Sequence, residues 1–136
     1  VLLIKRHGFV KRKWDIPKDC EDFAFDISES MKIEDLLFVS DICITDYSSL
    51  IFEYSLFERP MYFFAFDLDE FYDYRGFFYD YNEFVPGPIV KTSAELTKKI
   101  KTGEGFDKSA LKAFRERFMG ACDGNSTKRI VDYITS

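Results

Sequence analysis

The run Ile42-Cys43-Ile44-Thr45-Asp46-Tyr47-Ser48-Ser49-Leu50-Ile51-Phe52-Glu53-Tyr54-Ser55-Leu56-Phe57, continuing through Arg59-Pro60 into Met61-Tyr62-Phe63-Phe64-Ala65-Phe66, reads as strand, turn, helix and strand. Residues 42–45 are a short β-favouring run. From 48 to 57 the apolar positions Leu50, Ile51, Tyr54 and Phe57 fall at i, i+1, i+4 and i+7, one face of a helix, which Arg59-Pro60 stops. Residues 61–66 make a further strand.

Working outward, residues 1–4 form another apolar run that empties into Lys5-Arg6-His7-Gly8, and residues 23–27 make a further short strand, with a polar connection at 11–21. Ser30 or Met31 opens a helix in which Ile33, Leu36, Leu37 and Ser40 recur at helical spacing, while Glu34 and Asp35 suit its positive end. Alternating strands and ten-residue helices predict an α/β fold on a parallel sheet. Beyond it, residues 67–88 are acidic, aromatic and punctuated by Gly and Pro, and read as a long loop with one short helical turn. Three helices are expected after that: 93–101 capped by Ser93, 107–119 capped by Asp107, and 126–134 after the Asp123-Gly124 turn.

The chain has 136 residues, 46% of them hydrophobic, enough for one domain with its own core. A net charge of −5 argues against a nucleic-acid partner, which demands a basic footprint. The charge is uneven, however: no acid precedes Asp15, whereas Lys5, Arg6, Lys11, Arg12 and Lys13 crowd the N-terminal end, beside Trp14, and read first as an ordinary solvated charge run, otherwise as a site for an anionic ligand, a polyanionic acceptor or lipid headgroups. Cys20, Cys43 and Cys122 lack the close pairing of a disulfide framework or metal clip and read as reduced thiols. The sequence begins inside a strand, without a signal peptide or an apolar run of the ~20 residues a membrane span needs, and reads as a piece of something longer.

In a parallel sheet, ligands gather at the carboxyl ends of the strands, where helix N-termini point outward. Thr45, Asp46, Ser48 and Ser49 stand at such an end, with unpaired amides and hydroxyls suited to a phosphate. The same residues are also those of an ordinary turn, in which Asp46 shapes the bend, one serine caps the helix, and water fills the site. Glu53, four residues beyond Ser49, is placed either to reach a ribose diol or to sit as an exposed helix acid. His7, the only histidine, lies at a strand end beside Lys5 and Arg6 and reads either as a satisfied or exposed residue or as a general base, acid or phosphate donor. Arg75, in the long loop, is a candidate phosphate clamp. The run Asp67-Leu68-Asp69-Glu70 has acids without the spacing of a cation loop, so no metal is assigned.

The series Asp35-Leu36-Leu37, Ser40 to Ser49, Phe52-Glu53-Tyr54, Arg59-Pro60, Asp67, Arg75-Gly76-Phe77, Pro86-Gly87-Pro88, Glu95-Leu96 and Asp123-Gly124 with Arg129-Ile130 closely resembles the CDP-glycerol glycerophosphotransferases of Gram-positive teichoic-acid synthesis. The resemblance implies the C-terminal, donor-binding Rossmann-like half of a two-domain GT-B enzyme, with residues 1–136 as one nucleotide-binding domain and the N-terminal domain lying outside this sequence. It implies transfer of glycerol phosphate from CDP-glycerol, or ribitol phosphate from CDP-ribitol, to a hydroxyl of a lipid-linked polymer at the cytoplasmic face of the membrane, with release of CMP and no obligatory metal or cofactor. It further implies that Ser48 and Ser49 bind the donor phosphates, that Glu53 and Arg75 help hold the donor, and that His7 is the family's essential histidine near the transferred phosphate. Two positions depart from the family: His7-Gly8 replaces the usual His-Pro, and Glu53 replaces the usual aspartate. Two rival readings are a GT-B glycosyltransferase using a sugar nucleotide and a noncatalytic nucleotide-binding or scaffold domain.

Overall fold

The computed structural model describes residues 1–13, 15–74 and 76–136, and the chain divides into two compact units, Val1–Ser40 and Asp41–Ser136. In the first unit, β1 (Leu2–Ile4) and β2 (Ala24–Asp26) pair in parallel, Leu2 facing Ala24 and Ile4 facing Asp26. A 3-10 turn at Lys18–Cys20 lies between them, and α1 (Ile33–Val39) follows, burying Leu36 and Leu37.

The second unit is built on a parallel three-stranded sheet in the order β3 (Cys43–Thr45), β4 (Met61–Phe64), β5 (Ile89–Val90). The central strand β4 buries Met61, Tyr62 and Phe63 almost completely, as its unbroken apolar run requires. Between β3 and β4 runs α2 (Leu50–Ser55), a single six-residue stretch of α-helix. It is shorter than the periodicity of 48–57 predicts because its C-terminal end tightens: Leu56, Phe57 and Glu58 each donate to the carbonyl three residues back.

Residues 67–88 are more structured than the expected loop. They contain α3 (Leu68–Tyr74) and α4 (Tyr81–Phe84), the latter capped by Asp80, whose carboxylate accepts from the Asn82 amide at 2.9 Å. They also lead into β5, which has no counterpart in the predicted elements, since two residues after Pro88 carry no readable period. Gly87 makes that strand possible: a Cβ there would lie 2.3 Å from the Met61 carbonyl oxygen, so only glycine lets the chain pass this close to β4.

The remaining helices are α5 (Ser93–Thr102), α6 (Lys108–Met119) and α7 (Ser126–Thr135). Thr92, not Ser93, caps α5, its hydroxyl accepting from the Glu95 amide at 3.2 Å; Ser93 is already helical. Asp107 caps α6 as its sequence position predicts. Helix α6 packs on α2 through Leu111 and Phe114, whose ring stacks on Phe52 at 5.6 Å. Burial of each such side chain contributes roughly 1.5–3 kcal/mol. Helix α7 buries none of its residues within the unit.

Candidate functional site

The strand end of β3 passes through Asp46, Tyr47, Ser48 and Ser49 into α2, which brings Thr45, Asp46, Ser48 and Ser49 together on one turn. Local bonds explain its shape. The Asp46 carboxylate accepts from the Tyr47 amide at 2.7 Å, and the Ser48 hydroxyl accepts from the Leu50 amide at 3.3 Å. Ser48 thus supplies the capping contact of the ordinary-turn reading, whereas Ser49 is exposed and makes no side-chain cap. Glu53 is exposed on α2, one turn further on.

Contacts from the 67–84 segment hold this turn from outside. The Tyr47 hydroxyl donates to the Asp67 carboxylate at 2.7 Å, and its ring stacks on Phe71 at 3.9 Å. The Tyr81 hydroxyl, buried, donates to the Asp46 carbonyl at 2.7 Å. Phe77 bridges these rings, lying 5.0 Å from Phe71 and 4.9 Å from Tyr81. Burial, and then the Asp67 carboxylate, push the Tyr47 phenol well above its ordinary pKa, so it stays a neutral donor. Asp67 belongs to the motif series read from the sequence, but no sequence signal marked Tyr81, because its partner Asp46 lies 35 residues away.

His7 belongs to the first unit and is exposed three residues beyond β1. Its carbonyl accepts from the Val10 amide at 2.8 Å, closing a turn, and its Nδ1 accepts from the Phe9 amide at 3.3 Å. An accepting Nδ1 leaves the ring proton of the neutral imidazole on Nε2. His7 lines a concavity of about 320 Å³ together with Arg6, Gly8, Val10, Lys11, Ser28 and Glu29.

The basic N-terminal end is less available than its composition suggests. Lys5 Nζ donates to the Ser28 carbonyl at 2.9 Å and to the Met31 carbonyl at 2.5 Å. Arg6 pairs with Asp26 at 3.1 Å and donates to the Val10 and Arg12 carbonyls at 3.2 Å each. Bonds from Ser28, and after them the Arg6 guanidinium, hold the Asp26 carboxyl below its usual range. Arg6 therefore fastens the 7–12 loop to the end of β2, Lys5 ties the end of β1 to residues 28–31, and Lys11 and Arg12 remain exposed. Arg75 and Trp14 lie outside the described residues. Among the described residues no group of three or more His, Cys, Asp or Glu is arranged to hold a metal ion, and no helix is long and apolar enough to cross a membrane. Burial pushes the Cys43 thiol up to about 12, which makes it an inert core residue.

The family described as CDP-Glycerol:Poly(glycerophosphate) glycerophosphotransferase matches residues 1–136. The chain belongs to that family. Among related glycerophosphotransferase-family proteins, it is 41% identical to a teichoic acid poly(ribitol-phosphate) polymerase of Bacillus spizizenii, over 98% of this chain and 22% of that protein. It is 35% identical to a teichoic acid poly(glycerol phosphate) polymerase of Staphylococcus epidermidis, over 98% of this chain and 19% of the relative. Among solved structures, that of the wall teichoic acid polymerase TagF superposes with a TM-score of 0.81 at 33% identity, covering 99% of this chain and 34% of that one. A histidine-to-asparagine variant of that polymerase soaked with CDPG superposes equally well, with a TM-score of 0.80. The chain thus spans about a fifth to a third of the length of these family members. Its mixed α/β architecture with parallel strands is the fold expected for part of a GT-B-like glycerophosphotransferase.

Proposed function

We propose that residues 1–136 act as the donor-binding domain of an enzyme that transfers glycerol phosphate from CDP-glycerol to a hydroxyl of a lipid-linked teichoic acid or related polymer, releasing CMP. The observation that carries this reading is the Thr45–Ser49 turn: a strand-end, helix-start junction in a chain that matches the glycerophosphotransferase family along its whole length. In the reaction an acceptor hydroxyl oxygen attacks the glycerol-bearing phosphorus of the donor. The bond from that phosphorus to the CMP oxygen breaks, CMP leaves with the electron pair, and the hydroxyl proton passes to the leaving CMP phosphate or to water.

In this reading Thr45, Asp46, Ser48 and Ser49 form the phosphate turn, and Glu53 and Arg75 help hold the rest of the donor. Burial first, then the Asp67 bond and the charges of Asp67, Asp46 and Asp69, raise the Tyr47 phenol, so carboxylates stand close to the turn. The turn therefore supplies hydrogen-bond donors, while the charge of the pyrophosphate is neutralised by cations such as Arg75. His7, with its proton on Nε2, is a donor toward a phosphate oxygen or the leaving CMP, and it takes part in moving the acceptor proton. The exposed Lys11 and Arg12 face the anionic acceptor or lipid at the cytoplasmic side of the membrane.

A second donor is favoured by a specific observation. The relative at 41% identity is a ribitol-phosphate polymerase, and the glycerol-phosphate polymerase stands at 35%. CDP-ribitol is accordingly the alternative donor. Binding of CDP-glycerol, CDP-ribitol and UDP-sugars to the full-length polypeptide, read by titration calorimetry, tests the proposal. A CDP-alcohol is expected to bind, and Ser48→Ala/Ser49→Ala and His7→Ala to abolish transfer. Tight binding of UDP-sugars alone would replace this reading with that of a glycosyltransferase. Transfer that survives these substitutions would dissociate the assigned residues from the chemistry.

A further inference from the structure

The Thr45–Ser49 turn has one short side-chain bond of its own, from the Tyr47 amide to the Asp46 carboxylate at 2.7 Å. Helix α2 behind it is six residues long, its Ser49 makes no capping bond, and the Ser48 contact to the Leu50 amide is 3.3 Å. Two other bonds reach the turn from a distant part of the chain. The Tyr81 hydroxyl holds the Asp46 carbonyl, and the Asp67 carboxylate holds the Tyr47 hydroxyl, both at 2.7 Å. Tyr81 is itself fixed. It is 2% exposed, its amide donates to the Tyr72 hydroxyl at 2.7 Å, and Tyr72 donates in turn to Asp80 at 2.9 Å. Phe71 and Phe77 fill the space between the struts.

From this geometry we infer that Tyr81, seconded by Asp67 acting through Tyr47, is a positioning residue that sets the donor-binding conformation of the Asp46–Ser49 turn. The inference rests on the donor-site reading given above. Tyr81 bonds the backbone of Asp46 and not the side chain of Ser48 or Ser49, so its effect on the donor is indirect. A turn that binds through amides and hydroxyls loses affinity when those groups drift, since hydrogen-bond donors act only over a narrow range of distance and angle.

The unit contains its own control. Tyr62, 1% exposed on β4, donates its hydroxyl to the Lys99 carbonyl at 3.2 Å. Like Tyr81 it is a buried tyrosine bonded to a backbone carbonyl, but that carbonyl lies in α5 and not in the turn. The test compares Tyr81→Phe, Tyr47→Phe and Tyr62→Phe in the full-length polypeptide. Each keeps its ring and removes one hydroxyl. Donor dissociation constants for CDP-glycerol and CDP-ribitol, the donor and acceptor KM, kcat, and the melting temperature are measured for each. Tyr81→Phe and Tyr47→Phe are expected to weaken donor binding about 3–10-fold, the equivalent of one misplaced hydrogen bond, with the acceptor KM unchanged. Tyr62→Phe is expected to lower the melting temperature comparably and leave donor affinity as it was. Donor affinity unchanged in both Tyr81→Phe and Tyr47→Phe, or equally weakened in Tyr62→Phe, overturns the inference and leaves the donor-site reading intact. No binding of either CDP-alcohol by the unsubstituted protein overturns both.

Discussion

Gly8 occupies the second position of the turn closed by the Val10 amide and the His7 carbonyl, a position at which proline is favoured. Its φ is not left-handed, and a Cβ added to it meets nothing within 4 Å. The glycine that departs from the family's His-Pro is thus accommodated by an otherwise proline-compatible turn. Gly8→Pro is expected to raise stability by about 0.4–1 kcal/mol by restricting the unfolded chain, read as a higher denaturant midpoint at unchanged slope. A fall in stability would mean that the turn needs glycine's freedom. Gly87 is the opposite case. In Gly87→Ala the new methyl meets the Met61 carbonyl, a backbone atom of the central strand that cannot step aside. A loss of about 1–3 kcal/mol or more is expected in the same denaturation experiment, and a midpoint matching the unsubstituted protein would show that β5 can shift outward without cost.

At the scale of elements, the tightened turn after α2 ends on Glu58, which adopts a left-handed φ of 54° and pairs with Arg115 of α6. The left-handed backbone costs a non-glycine residue roughly 1–2 kcal/mol, whereas a half-exposed ion pair contributes roughly 0.2–1 kcal/mol. Glu58→Gly is therefore expected to be neutral or stabilising although it deletes the pair. Arg115→Ala should cost a few tenths to 1 kcal/mol in the parent and nothing in the Glu58→Gly background; a double-mutant cycle with no coupling would remove the pair from the account. Helix α7 is started by a different device. Arg129 grips both Asp123 carboxylate oxygens at 2.7 and 2.9 Å and the Ala121 carbonyl at 2.7 Å. The Arg129 bond, followed by the Asn125 amide, lowers the Asp123 carboxyl to about 2 from 3.8. A depressed folded-state pKa means this contribution is complete above about pH 4 and is lost as pH falls toward 2. Amide protection in α7 should decline over that window, and Asp123→Asn should flatten the decline. The turn and helix were legible in the residues, because Asp123-Gly124 and the caps are local signals. The parallel character of the strands was legible too, from the alternation of short apolar strands with helices. What escaped was long-range or too short to have a period: β5, the folding of 67–84 into α3 and α4, and the bonds from Tyr81 and Asp67 to the turn. The internal engagement of Lys5 and Arg6 was hidden for the same reason, since their partners Asp26, Ser28 and Met31 are 20 or more residues away.

For the whole molecule, the distribution of buried area is lopsided. Among the described residues, every side chain that is essentially fully buried, including Tyr54, Tyr62, Phe63, Met61, Leu111 and Val90, belongs to the unit Asp41–Ser136, whereas those buried in Val1–Ser40 are Ala24, Leu36 and Leu37, at 8–9% exposure. A segment of 40 residues with so small a core lies at the size below which independent stability usually needs added constraints. The β1–β2 and β4–β5 pairings should therefore open with different free energies, even though their hydrogen bonds have similar lengths: 2.8 Å from the Leu2 amide to the Phe23 carbonyl and 3.0 Å from the Ile27 amide to the Ile4 carbonyl, against 3.0 Å for both Phe63 to Pro88 and Ala65 to Val90. Hydrogen bonding is thus matched, and apolar burial is the variable that differs. Native-state hydrogen exchange on the chain of residues 1–136 is expected to show Leu2 and Ile27 exchanging at least about tenfold faster than Phe63 and Ala65, the latter pair following global unfolding as denaturant is added. Equal protection of all four would mean that the two units unfold as one cooperative body. His7 would then draw its rigidity from the same core that supports the Thr45–Ser49 turn, and not from the Lys5 and Arg6 bonds of its own unit alone.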